Sequence, residues 1–190
     1  MVLIKEALAS GGCETGRVPI QPEASGNGKA WFVRADMRNV PASGPFSLCV
    51  SMFTSFGYFA DERENTRLVE DLARMLSSGG VVVLDLPNPE YVIAKVSEEP
   101  ITTRICDGVR IVEERFLSEA RDRINKRIVV TEGGKSVEYQ ESVRLYPPET
   151  LECMLGAAGF TALVPLWGDY EGGSLTSTSP RVIYFGRANG

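Results

Sequence analysis

The sequence predicts an α/β fold: a mostly parallel sheet that closes with an antiparallel hairpin and carries an inserted antiparallel sheet. Three observations predict it. Apolar runs at 46–52 and 81–86 flank a segment with a helical repeat, which makes a strand–helix–strand unit. Residues 101–146 hold several strand-like runs and no helical repeat. Two last apolar runs are joined by a Gly/Ser/Thr-rich loop at 168–180, too short for a helical crossover, so they must pair antiparallel.

Each element has its own signal. "VLIKEALA" reads as a strand start or a short helix, and 9–29 as turn and loop. "AWFVRAD" (30–36) reads as a strand ending in an acid, and "FSLCVSM" (46–52) as a second strand. Asp61 opens a helix, with Glu64 three residues on in a capping-box pattern. Leu68, Leu72, Met75 and Leu76 fall on one helical face, and Ser-Ser-Gly-Gly (77–80) is the expected stop. "VVVLDL" (81–86) is a continuous β-branched run, as in a parallel strand covered on both faces. The 46–86 unit is therefore βαβ, with the usual right-handed crossover expected.

A short helix is expected after Pro87-Asn88-Pro89, through about Val96. The insert follows, with runs "VRIVEERFL", "NKRIVV" and "SVEYQESVRLY". The third alternates, placing Val137, Tyr139, Val143 and Leu145 on one side and Glu138, Gln140 and Arg144 on the other. Gly133-Gly134 signals a hairpin turn. "PPETLECMLGAAG" is a helix with Pro in its first turn, Gly159 at its end, and an apolar face of Leu151, Met154, Leu155 and Ala158. The whole reads as one domain over 1–190, with 99–146 as the insert.

Composition limits the chemistry. The 190 residues contain no histidine, which removes His-based triads, His general bases and the commonest zinc sites. Net charge is −5 without a Lys/Arg run, so nucleic acid and anionic membranes are not expected partners. No apolar run reaches the ~18 residues of a membrane span. Residues 1–30 lack the long apolar core of a secretory leader, so a cytoplasmic location is expected. Cys13, Cys49, Cys106 and Cys153 form no C-x-x-C pair and are expected to be small buried thiols.

In an open α/β sheet the ligand crevice lies outside the carboxyl ends of the strands. Three such ends are Asp36-Met37, Phe53-Thr54-Ser55 and Asp85-Leu86-Pro87. Just past the second comes an aromatic turn, Phe56-Gly57-Tyr58-Phe59. It either walls a pocket or staples the next helix to the sheet.

The stretch "VRADMRNVP…FSLCVSMFTSFGYFADERENTRLVEDLARMLSSGGVVVLDLPNPEYV" resembles the central part of a class I S-adenosylmethionine-dependent methyltransferase, of the small-molecule type with an inserted antiparallel sheet. "SVRLYPPETLECMLGAAGF" and "GDYEGGSLTSTSPRVIYFGR" resemble its last helix and final hairpin, so the likeness covers about residues 31–188. It implies a Rossmann-like fold, S-adenosyl-L-methionine as donor and a small-molecule acceptor. On that likeness Asp36 and Met37 face adenine, and Phe53 and Thr54 flank the methionine end of the donor. Tyr58 faces the acceptor, and Tyr58, Tyr146 or Asp169 supplies a base where one is needed. The insert, with Arg115 and Arg144, forms a lid, and Tyr170 reaches the same cavity. Desolvated aromatic faces favour a cation by up to ~2 kcal/mol, which suits a sulfonium.

The amino-terminal part departs from the pattern. Gly12-Cys13-Glu14-Thr15-Gly16-Arg17 resembles the family's glycine-rich loop, so Cys13, Thr15 and Gly16 would meet the donor. Glu14, however, stands where a glycine lets backbone approach. Asp36 comes 23 positions after Cys13. A helix, strand, helix and strand would need on the order of 45 residues. At least one βα unit is missing or degenerate, which leaves a strand edge that invites a homodimer. The alternatives are a catalytically inactive protein of this fold that binds a ligand or partner, and a nicotinamide-dependent dehydrogenase. The last is disfavoured because no G-x-G-x-x-G stands at a strand–helix junction.

Overall fold

Two sheets, built from local signals of different period, organise the chain. The computed structural model describes residues 2–4, 35–42 and 44–189. The expected loop residues Cys13, Thr15 and Gly16, and most of the strand expected at 30–36, lie outside these.

The strand–helix–strand unit forms as its pattern dictates. β2 (Phe46–Ser51) and β3 (Leu76–Pro87) run parallel, with Leu48 beside Val81 and Ser51 beside Leu84. Between them α1 (Glu62–Met75) begins at Asp61, whose carboxylate accepts from the Arg63 N–H. The capping box is half made, because the Glu64 carboxylate bonds Arg38 instead of reaching back. Leu68, Val69 and Leu72 are buried in one core with Phe46, Val82 and Leu84.

The predicted helix stop is corrected. The helix ends at Met75, and Leu76 already pairs with Phe46 as the first residue of β3. Ser77-Ser78-Gly79-Gly80 therefore form a bulge inside the strand, where the register jumps from Phe46–Leu76 to Leu48–Val81. Gly79 takes a φ of +77° there, the left-handed region that favours glycine.

β1 (Val2–Ile4) pairs antiparallel with β2. β9 (Arg181–Ala188) pairs antiparallel with β3 along its apolar half, and β8 (Phe160–Ala162) pairs antiparallel with β9. The order is β1-β2-β3-β9-β8, so the β2–β3 pair is the parallel part of the described sheet. The final hairpin is the antiparallel one that loop length predicted. α3 (Pro148–Ala157) precedes it, burying Leu151 and Leu155, with Met154 and Ala158 packed against the same core.

The insert forms a sheet of its own, β4 (Ile101–Cys106), β5 (Val109–Leu117), β6 (Arg123–Glu132) and β7 (Lys135–Arg144), in that order. Gly133-Gly134 turns β6 into β7, both at positive φ. α2 (Pro89–Glu98) lays Val92, Ile93 and Val96 on Ile124, Val143 and Leu145. That helix covers only one end of the alternating face. Val143 and Leu145 are buried, whereas Val137 and Tyr139 are exposed. Cys49 is buried as expected, and burial pushes its thiol up to about 12. Cys106 and Cys153 are exposed, because β4 is an edge strand and Cys153 lies on the outer side of α3. No helix among the described residues is long and apolar enough to cross a membrane.

Candidate functional site at the carboxyl rim

The rim is organised by a carboxylate near the end of β3. Asp85 is fully buried, and its charge demands partners. Its Oδ1 takes the Arg181 Nε at 2.6 Å. Its Oδ2 takes the Phe53 N–H at 2.7 Å and the Tyr170 hydroxyl at 2.8 Å. The same guanidinium donates to the Thr54 Oγ1 at 3.1 Å, and the Thr54 N–H donates to the Asp85 carbonyl.

These bonds hold Phe53 and Thr54 at φ of +55° and +62°, where residues with a Cβ are strained. The Phe53 ring stands 79% exposed and meets the Tyr170 ring edge-on, with centroids 6.4 Å apart. Burial, and then the bond to Asp85, push the Tyr170 phenol above its ordinary range. A large exposed ring on strained backbone, anchored to a buried ion pair, is a feature that core packing does not require.

Asp36 and Met37 are tied to the aromatic turn and the head of α1. Asp36 caps the short 3-10 turn Met37–Asn39, and the Arg38 guanidinium grips its carboxylate. That bond and the Arg38 N–H hold the Asp36 carboxyl down at about 2. Arg38 also sits over the Phe59 ring, 5.5 Å from its centroid, and pairs with Glu64 at the start of α1. The 36–39 turn, the aromatic turn and the head of α1 are thus one contact group. Met37 packs against the main core.

The aromatic turn divides its rings between core and surface. Phe56 is buried and stacks obliquely on Tyr146 at 5.3 Å, stapling the turn to the core. Tyr58 remains 41% exposed. Burial, then the Glu141 charge, raise its phenol, so it is neutral near pH 7. Gly57 sits at φ +94°, and a Cβ there would lie 3.1 Å from the Arg144 carbonyl oxygen.

Two of the expected bases have partners of their own. Tyr146 is buried, and its hydroxyl donates to both Glu62 carboxylate oxygens, at 3.1 and 3.3 Å. Burial and the Glu62 charge raise its phenol further still. It faces the core and does not reach an open rim. Asp169 is spent on its own loop, its Oδ1 accepting from the Glu171 and Gly173 N–H groups. Arg115 is likewise occupied within the insert, pairing with Glu113 and donating to Thr102.

Sequence reading missed the residue that joins insert to rim. Arg123 donates to the carbonyls of Gly57, Tyr58 and Phe59 at 3.3, 3.3 and 3.0 Å, and to the Ser142 Oγ and carbonyl at 2.8 and 3.0 Å. Beside it Arg144 pairs with Glu62 at 2.8 Å and Asp122 at 3.1 Å. Both arginines project from one sheet face, since Arg123 and Arg144 are direct cross-strand partners. Further along, Phe116, Asn125, Arg127, Gln140 and Ser142 line an open hollow of about 190 Å³. The only earlier hint was the alternation of the β6 and β7 runs.

No family model and no curated protein matches the chain. Solved structures do. An S-adenosylmethionine-dependent methyltransferase from Clostridium acetobutylicum ATCC 824 superposes with a TM-score of 0.72 at 19% identity, covering 83% of this chain and 64% of that one. The CcbJ methyltransferase from Streptomyces caelestis gives 0.69 at 18% identity, covering 83% and 63%. The sugar N-methyltransferase KedS8 from Streptoalloteichus sp ATCC 53650 gives 0.59 at 21% identity, covering 82% and 61%. The chain spans less than two thirds of the length of each of these proteins. With a strand–helix–strand unit, a final antiparallel hairpin and an inserted sheet in matching order, the chain has the fold of the class I S-adenosylmethionine-dependent methyltransferases.

Proposed function

We propose that this chain carries the carboxyl-rim half of an S-adenosylmethionine-dependent methyltransferase acting on a small molecule. The observation that carries the reading is the Phe53–Thr54 turn. It is strained, exposed and fixed by buried Asp85 at the shared carboxyl end of two parallel strands. Ligands of open α/β sheets gather at that position.

The described residues fit the donor. Asp36 is ionised across the ordinary pH range and half-exposed, so it can accept from an amino group. Phe53 and Tyr170 offer exposed aromatic surface at the carboxyl rim, which suits a sulfonium. Thr54 and Met37 complete the described part, and Cys13, Thr15 and Gly16 would add the rest. When bound, the donor supplies an electrophilic methyl group that an O, N or C nucleophile displaces. This chain's part is alignment and exclusion of water, for which histidine is not needed. Tyr58 is the remaining candidate to orient the acceptor. The insert over 99–146, clamped by Arg123, serves as the lid, and its open hollow offers the acceptor a surface.

A second reading is a non-catalytic protein of the same fold that binds a ligand or a partner. Calorimetric titration of the folded chain with S-adenosylmethionine and S-adenosylhomocysteine separates the two. The enzyme reading expects micromolar binding that Asp36→Asn weakens by about tenfold or more, since a bond to a charged acceptor is lost. Absence of any heat from a cooperatively folded sample sinks the methyl-donor reading and leaves the second.

A further inference from the structure

The insert ends in a long edge that nothing in the described chain covers. β7 is the outer strand of its sheet, ten residues long, and 135–140 are all exposed. Its backbone direction can be read from two bonds. The Leu145 N–H points inward to the Asp122 carbonyl, whereas the Arg144 N–H points outward to Gly57. Along an antiparallel strand this alternation persists, so odd-numbered residues bond β6 and even-numbered ones face out. Ser136, Glu138 and Gln140 therefore present N–H and C=O groups along a free edge, whereas the Ser142 carbonyl already accepts from Arg123.

The side chains of this edge complement a copy of themselves. In an antiparallel β7–β7 pair centred on Glu138, the two Glu138 residues face each other as a hydrogen-bonded pair. Ser136 then faces Gln140, which is the pairing the outward backbone groups require. The neighbouring non-hydrogen-bonded pairs, where side chains approach most closely, become Val137 with Tyr139 and Lys135 with Glu141, each formed twice. Val137 and Tyr139 are the exposed end of the apolar face that α2 leaves bare, and they stand beside Val130 and Ile128 of β6. Shifting the centre by one residue either way breaks both pairings, bringing Lys135 opposite Tyr139 or Val137 opposite Glu141. The one like-charged contact, Glu138 against Glu138, is softened because each carboxylate is already held by Arg127 at 2.9 Å. The opposite edge, β4, shows no such self-complementarity: it has Ile101 and Ile105 exposed and Arg104 committed to Glu113.

We propose that β7 pairs antiparallel with β7 of a second copy of this chain, about a two-fold axis at Glu138, joining the two inserts into one eight-stranded sheet. This is a closed, isologous contact and stops at the dimer. It lies on the insert, away from the amino-terminal edge where the sequence suggested pairing, and it does not depend on the methyltransferase reading.

Sedimentation velocity of the full chain over a concentration series tests it, with charge reversals at exposed Lys135 and half-buried Glu141. The wild type is expected to show a monomer–dimer equilibrium. Lys135→Glu and Glu141→Lys each set like charges opposite one another twice, and each should weaken dimerisation by about tenfold. The double variant Lys135→Glu/Glu141→Lys restores opposite charges in the same register and should recover the wild-type affinity. Circular dichroism and melting of Lys135→Glu should match the wild type, whereas Glu141→Lys also loses its own-chain pair with Lys126 and should keep the same spectrum while melting slightly lower. A wild type that stays monomeric at every concentration, open-ended larger species, or a double variant no better than the singles would each overturn the proposal.

Discussion

Replacing Arg181 with Met would leave the Asp85 carboxylate buried without its cation, with two other donors remaining, the Phe53 N–H and the Tyr170 hydroxyl. Removing one partner of a buried ion pair costs about 3–5 kcal/mol, so Arg181→Met should lower the urea midpoint of unfolding sharply. Tyr170→Phe, at a half-exposed ring, should cost only about 1 kcal/mol for one lost hydrogen bond. Equal midpoints for the two variants would show that Asp85 is not the anchor described. Alkaline stability is also decided residue by residue. Tyr58, Tyr146, Tyr170 and Tyr184 all hold their protons more firmly in the fold than in the open chain, and Cys49 is pushed up to about 12. Their contribution is complete below the ordinary values of 9.0 and 10.0. It is lost as the pH rises through the folded values, because the unfolded chain then releases protons first. Thermal melts should fall steeply above about pH 9, and Tyr146→Phe should flatten that fall.

The elements differ in how far their own sequence defines them. α1 has its cap in Asp61, and Asp61→Ala should cost about 1 kcal/mol in denaturant titrations, with the Arg63 N–H left unpaired. The β6–β7 hairpin and α3 were legible because Gly133-Gly134 and the 3.6-residue repeat are local signals. The end of α1 was not. Ser-Ser-Gly-Gly is an ordinary helix stop, yet pairing of Leu76 with Phe46, 30 positions earlier, drew those residues into a strand bulge. Gly57 is legible only in part. Its positive φ suits a turn, but the 3.1 Å approach to the Arg144 carbonyl comes from the insert. Gly57→Ala should therefore cost about 1–3 kcal/mol, measurable as a lowered melting temperature.

At the scale of the whole molecule, the two sheets are joined where Arg123 takes the carbonyls of the aromatic turn. Hydrogen exchange should report that joint directly. Arg123→Ala should speed exchange in β5 to β7 and at Arg144, whose N–H donates to Gly57, while leaving β3 and β9 protected. Unchanged exchange in the insert would mean that α2 alone holds it.

The segments of the site were readable one by one: an acid at 36, a turn at 53–55, rings at 56–59 and a bend at 85–87 all follow short patterns. Their partners were not readable, since Arg181 stands 96 positions from Asp85 and Arg123 stands 64 to 66 from the carbonyls it binds. Tyr146 shows the same limit: nothing in its neighbourhood reveals that Glu62, 84 positions away, occupies it. Hydrophobic period, turn glycines and loop length act over a few residues, so the chain's own order determined which elements form and that the last hairpin is antiparallel. Which charges are buried, which hydroxyls are consumed and which edge stays bare depend on contacts between distant residues, and only the folded arrangement decided those.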